Sequence, residues 1–341
     1  MSFITYGPTG GVRDVLADRD ITPTPHHSNP FAGATSTRFA SNSDAYRVIV
    51  ASSGAEHTNT ISASGSAGSA TTPAIPLPAT APIPVGSGTT GGSGVVTGSI
   101  IYRVYLATPR RDPTGGAGLP SIRVLHADGT RTAVATCARP GKNPNAESIV
   151  RANGPATDRP APAQPIFIRP DSSASTLYPN PDNVYVATIL HYQPGTVVVV
   201  RGRAPTFPDT GARHPITGQE QVRYWSLCTN EYRKPYPVTT CAPDEHVVVD
   251  GAGDYIFVIS TRADRPANAT AANDVTWLNW GSTKVDMLLL VRHMLANPDF
   301  AESAIRLPPG ATASSTMGAY APRGAYCSSI TFARGGHAAC G

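Results

Sequence analysis

Ser226, His191 and Asp182 carry the groups that acyl or glycosyl transfer requires: a nucleophile, a base to take its proton and an acid to orient that base. Such a serine works only with a histidine within about 3.2 Å. His191 and His246 are the histidines on neighbouring strand-like segments. Ser226 sits in Tyr224-Trp225-Ser226-Leu227, where strand alternation turns it away from Trp225. The competing reading is a small structural strand residue. No G-x-S-x-G elbow is present, and the strand-rich pattern argues against an α/β-hydrolase.

Arg103 and Arg292 form a second constellation. Each interrupts an apolar strand, Ile100 to Ala107 and Leu289 to Ala296, so each guanidinium must be paired, face a cleft or lie on a solvated face. Forked donors suit a carboxylate. Arg201, Arg223, Tyr185, Trp225, Trp277 and Trp280 join them as candidate ligand-binding residues, since all three tryptophans fall within 225–280. Arginine and aromatic rings on a sandwich edge hold a sugar, a small carboxylate or an apolar ligand; the same rings also serve as plain core. Asp244-Glu245-His246 lacks a second histidine at ligand spacing, and the Asp250 to Asp254 turn offers too few oxygens for calcium. Neither a metal nor a cofactor is expected.

The elements that position these groups follow from composition. The chain has 341 residues with 32 glycines and 33 prolines, and only 15% of its residues are charged. Helical bundles and coiled coils need the opposite mixture. The net charge of +4 is spread without a basic stripe, which argues against nucleic acid. The most apolar stretch, Val285 to Leu295, is broken by Asp286, Arg292 and His293, so no segment spans a membrane as a helix.

An internal repeat organises the strands. Tyr224 to Thr229 aligns with Met1 to Tyr6, Tyr255 to Thr261 with Tyr46 to Ser52, and Leu289 to Ala296 with Ile100 to Ala107, in the same order in both copies. A Leu-Pro pair follows at Leu119-Pro120 and Leu307-Pro308. This predicts an all-β protein of two tandem β-sandwich or jelly-roll-like modules: residues 1–139, a Pro/Ala/Gly-rich linker at 140–164, and residues 165–341. The second copy opens with Asn183 to Leu190, a Gln193-Pro-Gly195 turn and a returning strand Thr196 to Arg201, so the first module is expected to lack its N-terminal hairpin and any export signal before it. Residues 58–98, without a charged or aromatic side chain, read as a mobile loop. Asn297 as cap, Pro298 in the first turn and Pro308 beyond predict one short helix near 298–306.

Cys228 and Cys241 share their spacing with Cys327 and Cys340, and both pairs flank turn-rich sequence. Two local disulfides follow, with Cys137 left over, and these imply an oxidising compartment. Asp182-Asn-Val-Tyr185, Arg223-Tyr-Trp-Ser226, Asp254-Tyr-Ile-Phe-Val258 and Asn273-Asp-Val-Thr-Trp-Leu-Asn-Trp280 resemble elements of bacterial secreted proteins with two tandem jelly-roll-like domains of unknown function. The resemblance covers roughly residues 165–307, more faintly 1–120, and implies a fold, not a reaction. Three functions fit: an extracytoplasmic ligand-binding or surface-structural protein, a secreted hydrolase of ester or glycosidic bonds with a cleft between the modules, and a self-associating virion or appendage subunit.

Overall fold

A computed structural model describes residues 1–7, 11–27, 29, 31, 46–51, 59–62, 98–106, 119–126, 128–134, 163–171, 179–210, 212, 214–233 and 236–341. Apart from residues 163–164, the expected linker lies outside these, as does Cys137. The protein is built from β-strands in several mostly antiparallel sheets, as its composition predicts.

The C-terminal strands form two four-stranded sheets that share one core. The first has the order β11 (Val238–Pro243), β10 (Tyr224–Glu231), β14 (Asp286–Met294), β8 (Asn183–His191). The second has the order β13 (Thr276–Asn279), β12 (Asp254–Ser260), β9 (Thr196–Arg203), β15 (Arg323–Ser328). Alternate residues of both sheets, among them Trp225, Leu227, Leu289 and Val291 facing Val198, Val200, Tyr255 and Phe257, fill the space between them. The valine run of β9 is unbroken because its other face is also covered: Val197 and Val199 pack with Val258, Val275 and Phe332. Phe332 belongs to helix α1 (Ser329–Gly335), whose start is capped by the Ser328 hydroxyl accepting from the Ile330 N–H. Disulfides join Cys228 to Cys241 and Cys327 to Cys340.

The N-terminal strands form a three-stranded sheet, β2 (Val12–Ala17), β1 (Ser2–Tyr6), β5 (Ser99–Arg103). A parallel pair, β3 (Ile49–Ala51) and β4 (Thr60–Ser62), and a hairpin, β6 (Arg123–Leu125) with β7 (Arg131–Ala133), accompany it. Phe3, Ile21 and Ile61 make a small core with Leu16, Tyr46 and Tyr102.

The repeat holds in its strand pairing, one residue away from the alignment of Tyr224–Thr229 on Met1–Tyr6: the counterpart of Ser2 is Ser226, not Trp225. Ser2 pairs with Arg103 across β1 and β5, and Ser226 pairs with Arg292 across β10 and β14. The β1–β2 ladder slips between Thr5 and Tyr6, and the β10–β11 ladder slips at the equivalent step between Thr229 and Asn230. Asp18 follows β2 and Asp244 follows β11, each opening a 3-10 turn. The two carboxylates bond alike. Asp18 accepts from the Arg19 N–H (2.8 Å) and the Met1 nitrogen (2.9 Å), and Asp244 from the N–H groups of Glu245 (2.9 Å) and Trp225 (3.0 Å). Isolated bridges follow at Pro23 with Tyr46 and at Val249 with Tyr255. The parallel pairs β3–β4 and β12–β13 then match, Ile49 with Thr60 standing where Val258 with Trp277 stands.

Three expectations need correction. β8 and β9 do not pair as a hairpin: the Gln193 to Thr196 turn carries the chain from one sheet to the other. Thr60–Ser62, inside the segment read as a loop, is strand β4. Residues 298–306 form turns ending in a 3-10 turn at Ala304–Arg306 instead of an α-helix. There Ser303 restarts the chain by capping Ile305 (3.1 Å), and Phe300, Ala304 and Leu307 sink into the core. So few residues between prolines gain little from helix propagation, and packing decides.

Candidate functional site

One rung of the first C-terminal sheet aligns Ser226, Arg292 and Tyr185 across three strands. Trp225 and Leu227 face the core, so alternation turns Tyr224 and Ser226 to the opposite face. On β1, Phe3 faces the N-terminal core, which turns Ser2, Ile4 and Tyr6 the other way. These two outward faces meet. Tyr6 donates to the Pro179 carbonyl (2.8 Å), Tyr224 donates to the Tyr105 carbonyl (3.4 Å), and the Tyr105 and Tyr224 rings lie 5.9 Å apart. Asn180 donates to the Tyr105 hydroxyl.

Arg292 lies at the centre of this layer, only 8% exposed. Its guanidinium stands over the Tyr105 ring at 4.9 Å and the Tyr185 ring at 5.1 Å, and donates to the Ser226 hydroxyl at 3.3 Å. Its Nε has no hydrogen-bond partner, and no carboxylate lies within ion-pair distance of it among the described residues. A buried cation without a counter-charge is costly. Burial alone would raise the Tyr185 phenol; the charge of Arg292 and a hydrogen bond to it outweigh burial and hold the phenol below its ordinary value. Burial pushes Tyr105 up to about 12. Arg103 enters the same layer from β5 and donates to the Tyr6 hydroxyl at 2.9 Å.

At the margin of the layer, burial raises the Asp182 carboxyl to about 6, and its Oδ2 has no partner among the described residues. The Asp182 carbonyl accepts from the Leu295 N–H at 2.7 Å, and Leu295 holds a φ of 46°. That conformation is rare for a leucine and marks local strain. Leu295 also lines a cleft of about 180 Å³ with Arg19, Arg223, Glu220 and Asn297. Arg223 crosses between the two sets of strands, donating to Asp18 (3.1 Å) and the Phe31 carbonyl (3.4 Å).

The structure therefore gathers Arg103, Arg292, Tyr185 and Ser226, with Asp182 and Arg223 beside them. It does not gather the Ser226, His191, Asp182 set. His191 sits six residues along β8 from Tyr185, about 20 Å away at strand rise. There its Nδ1 lies 2.8 Å from Asp286 and its backbone N–H donates to Tyr326 (2.9 Å). Trp225 and Trp280 are core residues, packed on Tyr255 and Tyr192. Trp277 lies on the far sheet beneath Arg265, 4.4 Å from its ring centroid, and Arg201 reaches the Gly341 carbonyl. His293 is buried and pushed down to about 4, accepting from the Ala304 N–H. Among the described residues no histidine, cysteine or carboxylate group clusters as metal ligands. Sequence reasoning missed Tyr6, Tyr105 and Tyr224. Each lies an even number of positions from Ser2, Arg103 or Ser226 on the same strand or its extension, which is the alternation signal that would have found it.

No family model matches the chain, and no curated protein matches it. Its fold is similar to the crystal structure of an uncharacterized protein from Burkholderia cenocepacia, at 9% identity and a TM-score of 0.44 over 96% of this chain and 69% of that one.

Proposed function

We propose that this is an extracytoplasmic ligand-binding protein whose site is the arginine and tyrosine layer between its two repeats, and that the ligand is a small carboxylate. The observation that carries the reading is Arg292: buried, faced by tyrosine rings and a serine hydroxyl, with an unpartnered Nε and, among the described residues, no carboxylate within ion-pair distance. A carboxylate supplies the missing charge and accepts from the guanidinium fork. The cleft lined by Arg19, Arg223 and Leu295 lies beside the layer, with the Leu295 N–H donating to the Asp182 carbonyl. Two disulfides support an oxidising compartment, and no described helix is long and apolar enough to cross a membrane.

Titration calorimetry with acetate tests this. Saturable binding is expected, weakened at least about tenfold by Arg292→Gln, since that change removes a charge-assisted contact. If acetate does not bind the folded protein, or binds Arg292→Gln equally well, the layer is a structural interface and the reading fails.

A further inference from the structure

The Cys228–Cys241 disulfide shares a sheet face with the arginine and tyrosine layer. Cys228 stands two residues from Ser226 on β10, so strand alternation turns both side chains the same way. The Cys228 sulfur lies 3.6 Å from the Ser226 hydroxyl oxygen, and that hydroxyl accepts from Arg292 at 3.3 Å. One hydroxyl thus bridges a sulfur and a buried cation that has no carboxylate within ion-pair distance among the described residues. Accepting from Arg292 leaves the serine proton able to point at the sulfur. The two ends of the bond differ in access. Cys228 is buried, whereas Cys241 is exposed on β11, the outer strand of its sheet. The second disulfide has other surroundings. Cys327 and Cys340 pack with Val197, Val199 and Phe332, and the Cys340 sulfur lies 3.6 Å from the Gly336 carbonyl oxygen. Apolar surroundings oppose a thiolate, and an adjacent guanidinium favours one.

We infer that Cys228–Cys241 is a redox-active disulfide, opened by a dithiol reductant that attacks Cys241 and expels Cys228 as a thiolate stabilised by Arg292 through Ser226. A thiolate of the reductant forms a sulfur–sulfur bond to Cys241, and the Cys228–Cys241 bond breaks with its electron pair leaving on Cys228. The second thiol of the reductant loses its proton and displaces Cys241, which leaves as a thiolate and takes up a proton. The reductant ends as a disulfide, and the protein has gained two electrons. A leaving thiol of lower pKa departs faster, and a stabilised thiolate draws the equilibrium towards the reduced protein. The inference does not depend on a carboxylate filling the layer, because the opened Cys228 is itself an anion beside Arg292.

The experiment equilibrates the full chain with graded ratios of reduced to oxidised dithiothreitol, alkylates free thiols and reads each cysteine by peptide mass mapping. Cys228–Cys241 is expected to open at a ratio about tenfold lower than Cys327–Cys340. Arg292→Gln raises the ratio that Cys228–Cys241 requires by about tenfold and leaves the other pair unmoved. Ser226→Ala raises it by about threefold, the worth of one hydrogen bond, and decides the matter should circular dichroism show that Arg292→Gln does not fold. A brief exposure to glutathione, a single thiol, is expected to leave its adduct on Cys241. If the two pairs open together, if the folded variants leave the Cys228–Cys241 ratio unchanged, or if the adduct sits on Cys228, the bond is an inert staple and the inference is wrong.

Discussion

Among the described residues, the N-terminal strands keep the registers of the C-terminal ones with fewer strands beside them. β14 has β8 on its outer edge, whereas among the described residues no strand pairs with the corresponding edge of β5. The C-terminal core draws on two four-stranded sheets; among the described residues the N-terminal cluster has Phe3, Ile21 and Ile61 buried. What persists is polar and positional: the Ser–Arg rung, the aspartate after the second strand, the bulge and the isolated bridge. What changes is apolar filling. Ile4 opposite Val15 stands where Cys228 is bonded to Cys241. A one-residue slip would turn every side chain of the strand, the buried Ser–Arg rung included, to the other face, so the register persists, whereas apolar side chains exchange at nearly constant volume. The repeat is therefore clearer in its pairings than in its residues.

The largest expected difference between the copies is in their cores. Trp225→Ala removes a ring buried between two sheets and should cost about 3–5 kcal/mol. Phe3→Ala removes a smaller ring that is 7% exposed against 1% for Trp225, and should cost less. Urea unfolding of both variants decides it, and equal losses would mean that the Phe3 site gives way to the cavity no more readily than the Trp225 site. The disulfide comes next. Cys228 and Cys241 close a short loop, and replacing both with alanine should cost roughly 3 kcal/mol on the chain-entropy account. The converse change sharpens the comparison. Ile4→Cys with Val15→Cys should form a bond on oxidation, visible as a mass loss, because this pair has the register of Cys228 and Cys241. Failure to form would break the equivalence of the two ladders.

Much of this comparison is legible in the amino-acid sequence. The matched order of segments revealed the repeat and paired Arg103 with Arg292, but set Ser2 against Trp225, one residue off the observed register; the cysteine spacing revealed both bonds. Three features were not legible, each for a physical reason. β4 is too short for periodicity to mark it within a run of small residues, and it is set by pairing with β3. The β8–β9 connection has turn chemistry that suits a hairpin; only the competing edges of β14 and β12 send the two strands to different sheets. Residues 298–306 have helix punctuation but no propagation to reward it. For the layer, the sequence showed its arginines but not that Tyr105 would cover Arg292, because that contact is made between the two halves of the chain.

Buried carboxyls give a smaller, pH-dependent effect. Burial raises Asp182 to about 6 and Asp244 to about 7, from an ordinary value of 3.8. A carboxyl whose folded pKa lies above its unfolded one stabilises the fold fully below the unfolded pKa, and that contribution is lost as pH rises through the folded value. Stability from these two groups should fall between about pH 4 and 7. His293 acts in the opposite sense: burial holds it at about 4 against 6.5, so its contribution is lost as pH falls through that range. Asp182→Asn isolates the first limb. Its Oδ2 has no partner to lose, so the variant should match the parent near pH 4 and exceed it by roughly 1–3 kcal/mol at pH 8. A constant difference across that range would mean that Asp182 does not titrate there.

The finest test lies in a pair of single hydrogen bonds. The Thr22 N–H donates to Asn59 Oδ1 and the Val248 N–H to Thr276 Oγ1, each at 2.8 Å, at equivalent steps after Asp18 and Asp244. Different residue types thus close the same backbone gap, and Asn59 adds donations to the Thr22 and Arg47 carbonyls that threonine cannot make. Thr276→Val leaves one N–H unsatisfied and should cost about 1 kcal/mol. Asn59→Ala strips three contacts from a buried side chain and should cost more. Denaturant midpoints read the order directly. If Thr276→Val were the worse of the two, the surrounding sheets, and not the local bonds, would set the strength of each step, and equivalence of register would not extend to equivalence of energy.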